Sequence, residues 1–400
     1  MQKGPMSGIK VLEVANWVAA PSCAMMLADM GAEVVKIEPP GGDALRGILE
    51  YPPIPGVPGN LTFHLDNRGK KSVTIDFSKP KASEAVHKIA KQVDILITNL
   101  TDERAKKFQL AFEDVKEINN QIVYSVISGY GTHGPESYRR GFDFTSFWAH
   151  SGIQGLLGEP GDPPPPNRGS QGDHISAMNL LAATLASLRL RDMTGEAQRA
   201  EVTLQRTGMW TIAGDVQRTI FSKTQPIKHD RKSPKNPIFN SYETQDGKWV
   251  MFAMAQTDRY WPRFCEMLDK EEWKNEYDSI EKLIDHSTEL TTAITKIFLE
   301  KKFDEWAKLL DEFDMTWAPV ADVMDIINSD QLQAIGAFAD MTDDELGDYK
   351  TINVPFDIRD GNIYPRGNVP KPGQNTQEVL QQFGFDQEEI ANYASEGIFG

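Results

Sequence analysis

The sequence predicts an α/β fold: a large domain on a Rossmann-like, doubly wound parallel sheet, joined to a smaller α+β domain. Three observations predict it. Short apolar runs alternate with helical periodicity through the first half of the chain. The 400 residues are 40% apolar and 25% charged, an ordinary globular balance with material for two or three lobes. After residue 224 the composition turns polar, and "TQPIKHDRKSPKNP" reads as a linker.

Each element follows from local pattern. "IKVLEV" (9–14) is the apolar run of a buried strand. "APSCAMMLADMGA" (20–32) reads as a helix with Pro21 in its first turn and Gly31 as its stop. "EVVKIE" (33–38) is a second strand, which completes a βαβ unit expected to be parallel and right-handed. After the loop "PPGGDALRG" (39–47), strands are expected at 70–77, 93–99 and 122–131, with helices over 80–91 and 102–118. Residues 155–172 form a Pro/Gly-rich loop too long to be a mere connection. A helix of about 20 residues starts near Asp173 and stops near Thr194–Glu196. A strand (199–204) and a further helix (205–221) follow. Beyond the linker, 239–255 reads as a hairpin turning at Asp246-Gly247, helices run to residue 312, and the tail 373–400 holds two short helices. The expected division is a large domain over 1–224, completed by 326–400, and a small domain over 225–325.

Charge and composition exclude several functions. The net charge of −16 argues against general binding to nucleic acid or anionic membrane, yet leaves room for a basic cluster around an anionic small molecule. No apolar run is long enough for a membrane span, and the N-terminus lacks the apolar region of a signal peptide. Cys23 and Cys265 are far apart and in no metal or redox pattern, so a cytoplasmic location is expected.

The first βα turn, "VANWVAAPSCA" (14–24), contains no glycine, so Glu38 alone is weak support for a dinucleotide site. No histidines pair at metal-ligand spacing, and no metal site is expected. Asp173 and His174, in "SQGDHISAMN" (170–179), stand at the mouth of the long helix. Adjacent residues on a helix point about 100° apart, so the pair does not readily share an ion. Asp173 suits a helix N-cap, its carboxylate accepting first-turn amides. It equally suits a nucleophile, held ionised by the helix dipole, with Gly172 leaving room for a substrate carbonyl. Spacing does not separate cap from nucleophile.

The chain resembles the class III, formyl-CoA transferase-like, CoA-transferase family over almost its whole length. Six blocks carry the resemblance, in family order. They are "GIKVLEVANWVAAPSCAMMLADMGAEVVKIEPPGGDALRG" (8–47), "NRGKKSVTIDF" (67–77), "DILITN" (94–99), "SGYGTHGP…GFDFTSFWAHSGI" (128–153), "GDHISAMNLLAATLASLRLRDMTGEAQRAEVTL" (172–204) and "PKPGQNTQEVLQQFGFDQEEI" (370–390). The pattern is most similar to the branch acting on 2-hydroxy acids such as phenyllactate and hydroxyisocaproate.

The resemblance implies an enzyme moving CoA from an acyl-CoA donor to a free carboxylic acid, with CoA thioesters as substrates and no permanently bound cofactor. It implies Asp173 as the nucleophile, passing through a mixed anhydride and an aspartyl-CoA thioester. It places Arg46, Lys70, Lys71, Asn99, Lys107 and Arg140 around CoA. Val18, Ala19, Ala20, Phe142, Trp148 and Gln256 are placed in the substrate pocket. "AMAQTD" (253–258) lies where the family has a loop closing over the site, without the glycine run of some members. An interlocked homodimer is implied, with no nucleic-acid or membrane partner. The family also contains acyl-CoA racemases, whose "G-H-D" block supplies a histidine base. Phe142 stands there in this chain and cannot take a proton. A non-catalytic CoA-binding protein is the rival from another class.

Overall fold

The computed structural model describes residues 3–48, 55, 60–344 and 346–399. They form two compact units. One comprises 1–155, 166–223 and 331–400, the other 156–165 and 224–330.

In the first unit the chain runs β1 (Lys10–Val14), α1 (Ala19–Asp29), β2 (Glu33–Glu38), α2 (Leu61–Asn67), β3 (Lys70–Thr74), α3 (Ala82–Ala90) and β4 (Ile95–Thr98). Then come α4 (Asp102–Lys107), α5 (Phe112–Ile118), β5 (Val123–Ser128), a π-helix (Asp143–Ala149) and α6 (Ile153–Leu156). The long α7 (Gln171–Thr194), β6 (Gln198–Thr203), α8 (Leu204–Thr211) and α9 (Ala213–Ser222) follow. The six strands form one sheet in the order β3-β2-β1-β4-β5-β6, with every pairing parallel.

A parallel sheet covered on both faces needs continuous apolar strands. The period of two then divides each strand between two cores. Leu12, Val14 and Leu96 face a core shared with α3, α5 and the C-terminal residues Val379, Leu380 and Phe383. Val11, Ile95 and Ile97 face the opposite core, built with Cys23 and Leu27 of α1 and Leu180 and Leu181 of α7. Strand order reverses between β1 and β4, so the carboxyl ends of these two strands border the crevice where α/β sheets bind ligands. Asn99 closes the base of that crevice. Its Nδ2 donates to the Asn16 carbonyl at 2.6 Å and its Oδ1 accepts from the Asn16 amide at 3.2 Å.

The second unit holds a three-stranded antiparallel sheet of β7 (Ser241–Glu243), β8 (Trp249–Phe252) and β9 (Trp317–Pro319). Between β8 and β9 lie α10 (Thr257–Met267), α11 (Glu271–Glu276), α12 (Ile280–Asp285), α13 (Ser287–Phe298) and α14 (Phe303–Glu312). Aromatic packing centres this unit: Trp306 stacks on Phe298 at 4.2 Å, and Phe298 packs on Tyr242 and Phe252. After β9 come α15 (Val323–Ile327) and α16 (Asp330–Ala334), then the hairpin β10 (Phe338–Asp343) and β11 (Gly347–Ile352), and finally α17 (Thr376–Gln382) and α18 (Gln387–Ser395).

Several elements differ from the sequence expectation. The helix expected over 102–118 breaks into α4 and α5 at Gln109, whose φ of 55° is left-handed. The helix expected over 205–221 breaks at Ile212. The β10–β11 hairpin and the π-helix were not anticipated. A π-helix carries neither a period of 3.6 nor turn residues, so pattern reading passes over it. No helix among the described residues is long and apolar enough to cross a membrane.

Candidate active site

The site is built at the N-terminus of α7. Its N-cap position is Ser170, not Asp173, and Ser170 supplies no capping side chain (φ 71°). The cap comes from another element. Asp143, the first residue of the π-helix, accepts the Asp173 amide at 3.1 Å through Oδ1 and also takes the Gly172 amide. Its Oδ2 accepts Trp148 Nε1 at 3.1 Å. Burial pushes the Asp143 carboxyl up, with the amide and indole donors acting against it. Helix N-terminal amides need such partners. With Asp143 in that role, Asp173 is the third residue of the helix and its carboxylate is released from capping.

The reading of Gly172 is also corrected. It does not leave room for substrate. A Cβ there would lie 2.2 Å from Cγ of buried Phe147 and 2.6 Å from Asp143 Oδ1, too close for either to stay in place. The glycine lets the π-helix and α7 approach closely enough for the Asp143 bonds. Gly172→Ala is therefore expected to destabilise the fold by about 1–3 kcal/mol through overpacking and to displace Asp143. Urea unfolding would measure the first effect, and catalytic rate the second.

No described residue donates a hydrogen bond to the Asp173 carboxylate. Burial first, then the nearby Asp143 and Asp66 carboxylates, push its pKa up to about 7, while His174 acts in the opposite sense. Desolvation and two neighbouring negative charges thus act against the helix dipole that favours the ionised form. An acid raised from 3.8 to about 7 on folding destabilises the native state progressively between those pH values, and fully above them. Asp173→Asn should therefore raise the melting temperature at pH 8. The gain should shrink as pH falls toward 4, as calorimetry across pH would show.

His174 is fixed from outside its own helix. Its Nε2 lies 3.1 Å from Asp66 Oδ1 of α2, and the same oxygen lies 2.8 Å from Ser22 Oγ of α1. The Asp66 partnership raises the His174 pKa against the effect of burial. Pattern reading left His174 without a role because Asp66 is 108 residues away. Asp143 was missed for the same kind of reason, although it sits in the "GFD" block that singled out Phe142.

The other expected residues fall into distinct places. Val18, Ala19 and Ala20 are buried at the start of α1, and Trp17 before them packs edge-on to Phe142 at 5.5 Å. Phe142 and Trp148 flank Asp143 on the π-helix. Lys70 is fully enclosed. Its ammonium meets Glu13 Oε2 at 2.7 Å, Asn67 Oδ1 at 2.9 Å and the Pro21 carbonyl at 2.9 Å, which occupies all three protons inside the protein. Burial lowers its pKa to about 8. Arg46 makes a bidentate pair with Glu38 (2.8 and 2.7 Å) and donates to the Pro370 carbonyl. Lys71 pairs with Glu33 and Glu378. Asn99 bonds Asn16, as described. Lys107 and Arg140 are exposed. Gln256 is an exposed residue before α10, in the second unit.

Glu38, considered above as a ribose-binding acid, is instead spent on Arg46, on Ser72 Oγ (2.6 Å) and on the Asp43 amide (2.7 Å). Asp43 in turn takes Lys36 at 2.8 Å and the Trp17 amide at 3.2 Å. The 39–47 loop, through Asp43 and Arg46, thus braces the β1–α1 turn. Among the described residues no group of three His, Cys, Asp or Glu side chains could hold a metal ion.

Comparison with known proteins places these features in one class. Residues 6–376 match CoA-transferase family III. The chain is 31% identical over 393 residues to the (R)-2-hydroxy-4-methylpentanoate CoA-transferase of Clostridioides difficile, covering 97% of this chain and 98% of that one. It is 30% identical over 394 residues to the cinnamoyl-CoA:phenyllactate CoA-transferase of Clostridium sporogenes, covering 96% and 94%. A crystal structure of a CaiB/BaiF family protein from Brucella suis superposes with a TM-score of 0.83 at 24% identity, over 96% of this chain and all of that one. The chain belongs to CoA-transferase family III, and it is an enzyme of CoA transfer between an acyl-CoA and a carboxylic acid.

Proposed function

We propose that the enzyme moves CoA between two carboxylic acids through Asp173, and that its acids are 2-hydroxy acids with an apolar side chain, or their relatives. The observation that carries the mechanism is the released Asp173 carboxylate, at a helix mouth, with no described hydrogen-bond donor and a raised pKa. A carboxylate held this way is a competent nucleophile once ionised. It attacks the thioester carbonyl, the C–S bond breaks, and a mixed anhydride forms with release of CoA thiolate. The thiolate attacks the aspartyl carbonyl, and the first acid leaves with one oxygen from Asp173. The second acid then attacks the aspartyl-CoA and repeats the cycle in reverse.

The substrate class rests on the two hydroxy-acid transferases among the relatives and on apolar surface near the site. Trp17 and Phe142 pack together yet stay 38% and 49% exposed, so their remaining faces suit an aryl or branched aliphatic group. Phe142 also provides no base for α-proton removal, which weighs against a racemase. For CoA itself, Lys107 and Arg140 are the candidate phosphate partners, since Lys70, Lys71 and Arg46 are engaged within the protein. An interlocked homodimer is part of the same proposal. In its support, α9 contributes no buried residue, and its Phe221 is 91% exposed.

The test is covalent. Incubation with acyl-CoA should leave a trappable adduct on the peptide containing Asp173, seen by mass spectrometry. Asp173→Ala should lose the adduct and at least about 1000-fold in rate. Full CoA exchange by Asp173→Ala would contradict the mechanism.

A further inference from the structure

One residue beside Asp173 is held like a working group rather than a structural one. His174 is bound through Nε2 to Asp66, whose carboxylate is fully buried against Ser22. The histidine side chain keeps 40% of its surface, and no described residue bonds its Nδ1. A histidine fixed through one nitrogen by a buried carboxylate presents the other in a set direction and is stabilised as imidazolium. Three acids face it: Asp66 from α2, Asp143 from the π-helix and Asp173 on its own helix. Lys70 of β3 is the cation next to Asp66. The site thus concentrates negative charge around one half-buried cation-forming group, before any thiolate is generated there.

We propose that His174, oriented by Asp66, is a second catalytic residue whose imidazolium pairs with the CoA thiolate during transfer. The proposal rests on the Asp173 mechanism above. When the Asp173 oxygen bonds to the acyl carbon, the C–S bond breaks and its electron pair stays on sulfur. The Nδ1–H faces that sulfur as donor without giving up its proton. A thiolate beside an imidazolium stays ionised near neutral pH and remains nucleophilic. It can then attack the aspartyl carbonyl without first being deprotonated. Between turnovers the same cation faces Asp173 and favours its carboxylate, in the direction found for this pair.

The experiment compares His174→Gln, His174→Lys and Asp66→Asn with wild type, using acyl-CoA and acceptor acid, with circular dichroism as the check on folding. His174→Gln should lower kcat about 100-fold with little change in KM. The acidic limb of its pH–rate profile should move to higher pH, because Asp173 has lost a neighbouring cation. His174→Lys should recover part of the rate. Asp66→Asn, which keeps the histidine but removes the carboxylate that orients it, should lower kcat toward that of His174→Gln with little change in KM, so the inference is readable even where one variant folds poorly. A His174→Gln enzyme with wild-type kcat and pH profile, alongside an inactive Asp173→Ala, would overturn this proposal and leave the transferase mechanism standing. An active Asp173→Ala would instead overturn the mechanism on which it rests.

Discussion

The site depends on one bond pattern: the Asp143 carboxylate capping the first turn of α7. A long helix must satisfy its leading amides, and in most sequences the residue at its mouth does so. Here an acid from a separate π-helix reaches in and takes the amides of Gly172 and Asp173. Three consequences follow. Asp173 keeps its own carboxylate free of the capping role. Gly172 must lack a side chain, because the Phe147 ring fills the gap. The second negative charge, set close by, adds to burial in pushing the Asp173 pKa up to about 7.

A second constraint fixes the opposite wall. The β1–α1 turn would carry a glycine fingerprint in a dinucleotide-binding sheet, and here it is braced by buried charge instead. Lys36 lies 2.6 Å from Glu13 and 2.8 Å from Asp43, and Glu13 also meets Lys70. Burying such ions is costly unless each charge is matched and hydrogen-bonded. The network meets that condition by ending on the Trp17 amide, the Ala15 carbonyl and the Pro21 carbonyl. It therefore sets the path of residues 15–21, which bring Trp17 to Phe142 and Ser22 to Asp66. The same sheet order that binds dinucleotides elsewhere is thereby turned to a different ligand.

What could be read in advance was what is local. The strands at 9–14 and 33–38, and the helix between Pro21 and Gly31, were legible because apolar runs and punctuating residues lie within a few positions of each other. Asp173 was legible as a helix-mouth acid, and the family blocks named it as a nucleophile, but its position as third residue rather than cap was not. That depends on Asp143, thirty residues earlier. Lys70 was placed around CoA by its family position, which carries no information on burial. Only the fold brings Glu13 beneath it. His174 likewise acquires a partner only when α2 packs beside α7.

The most direct measurement follows the oxygens. After single turnovers with an acceptor acid carrying heavy oxygen in its carboxylate, the account predicts one labelled oxygen in the Asp173 side chain, located by mass spectrometry of its peptide. The bridging oxygen of the second anhydride must stay with the enzyme when CoA leaves on the acceptor. Turnover with Asp173 left unlabelled would contradict the account.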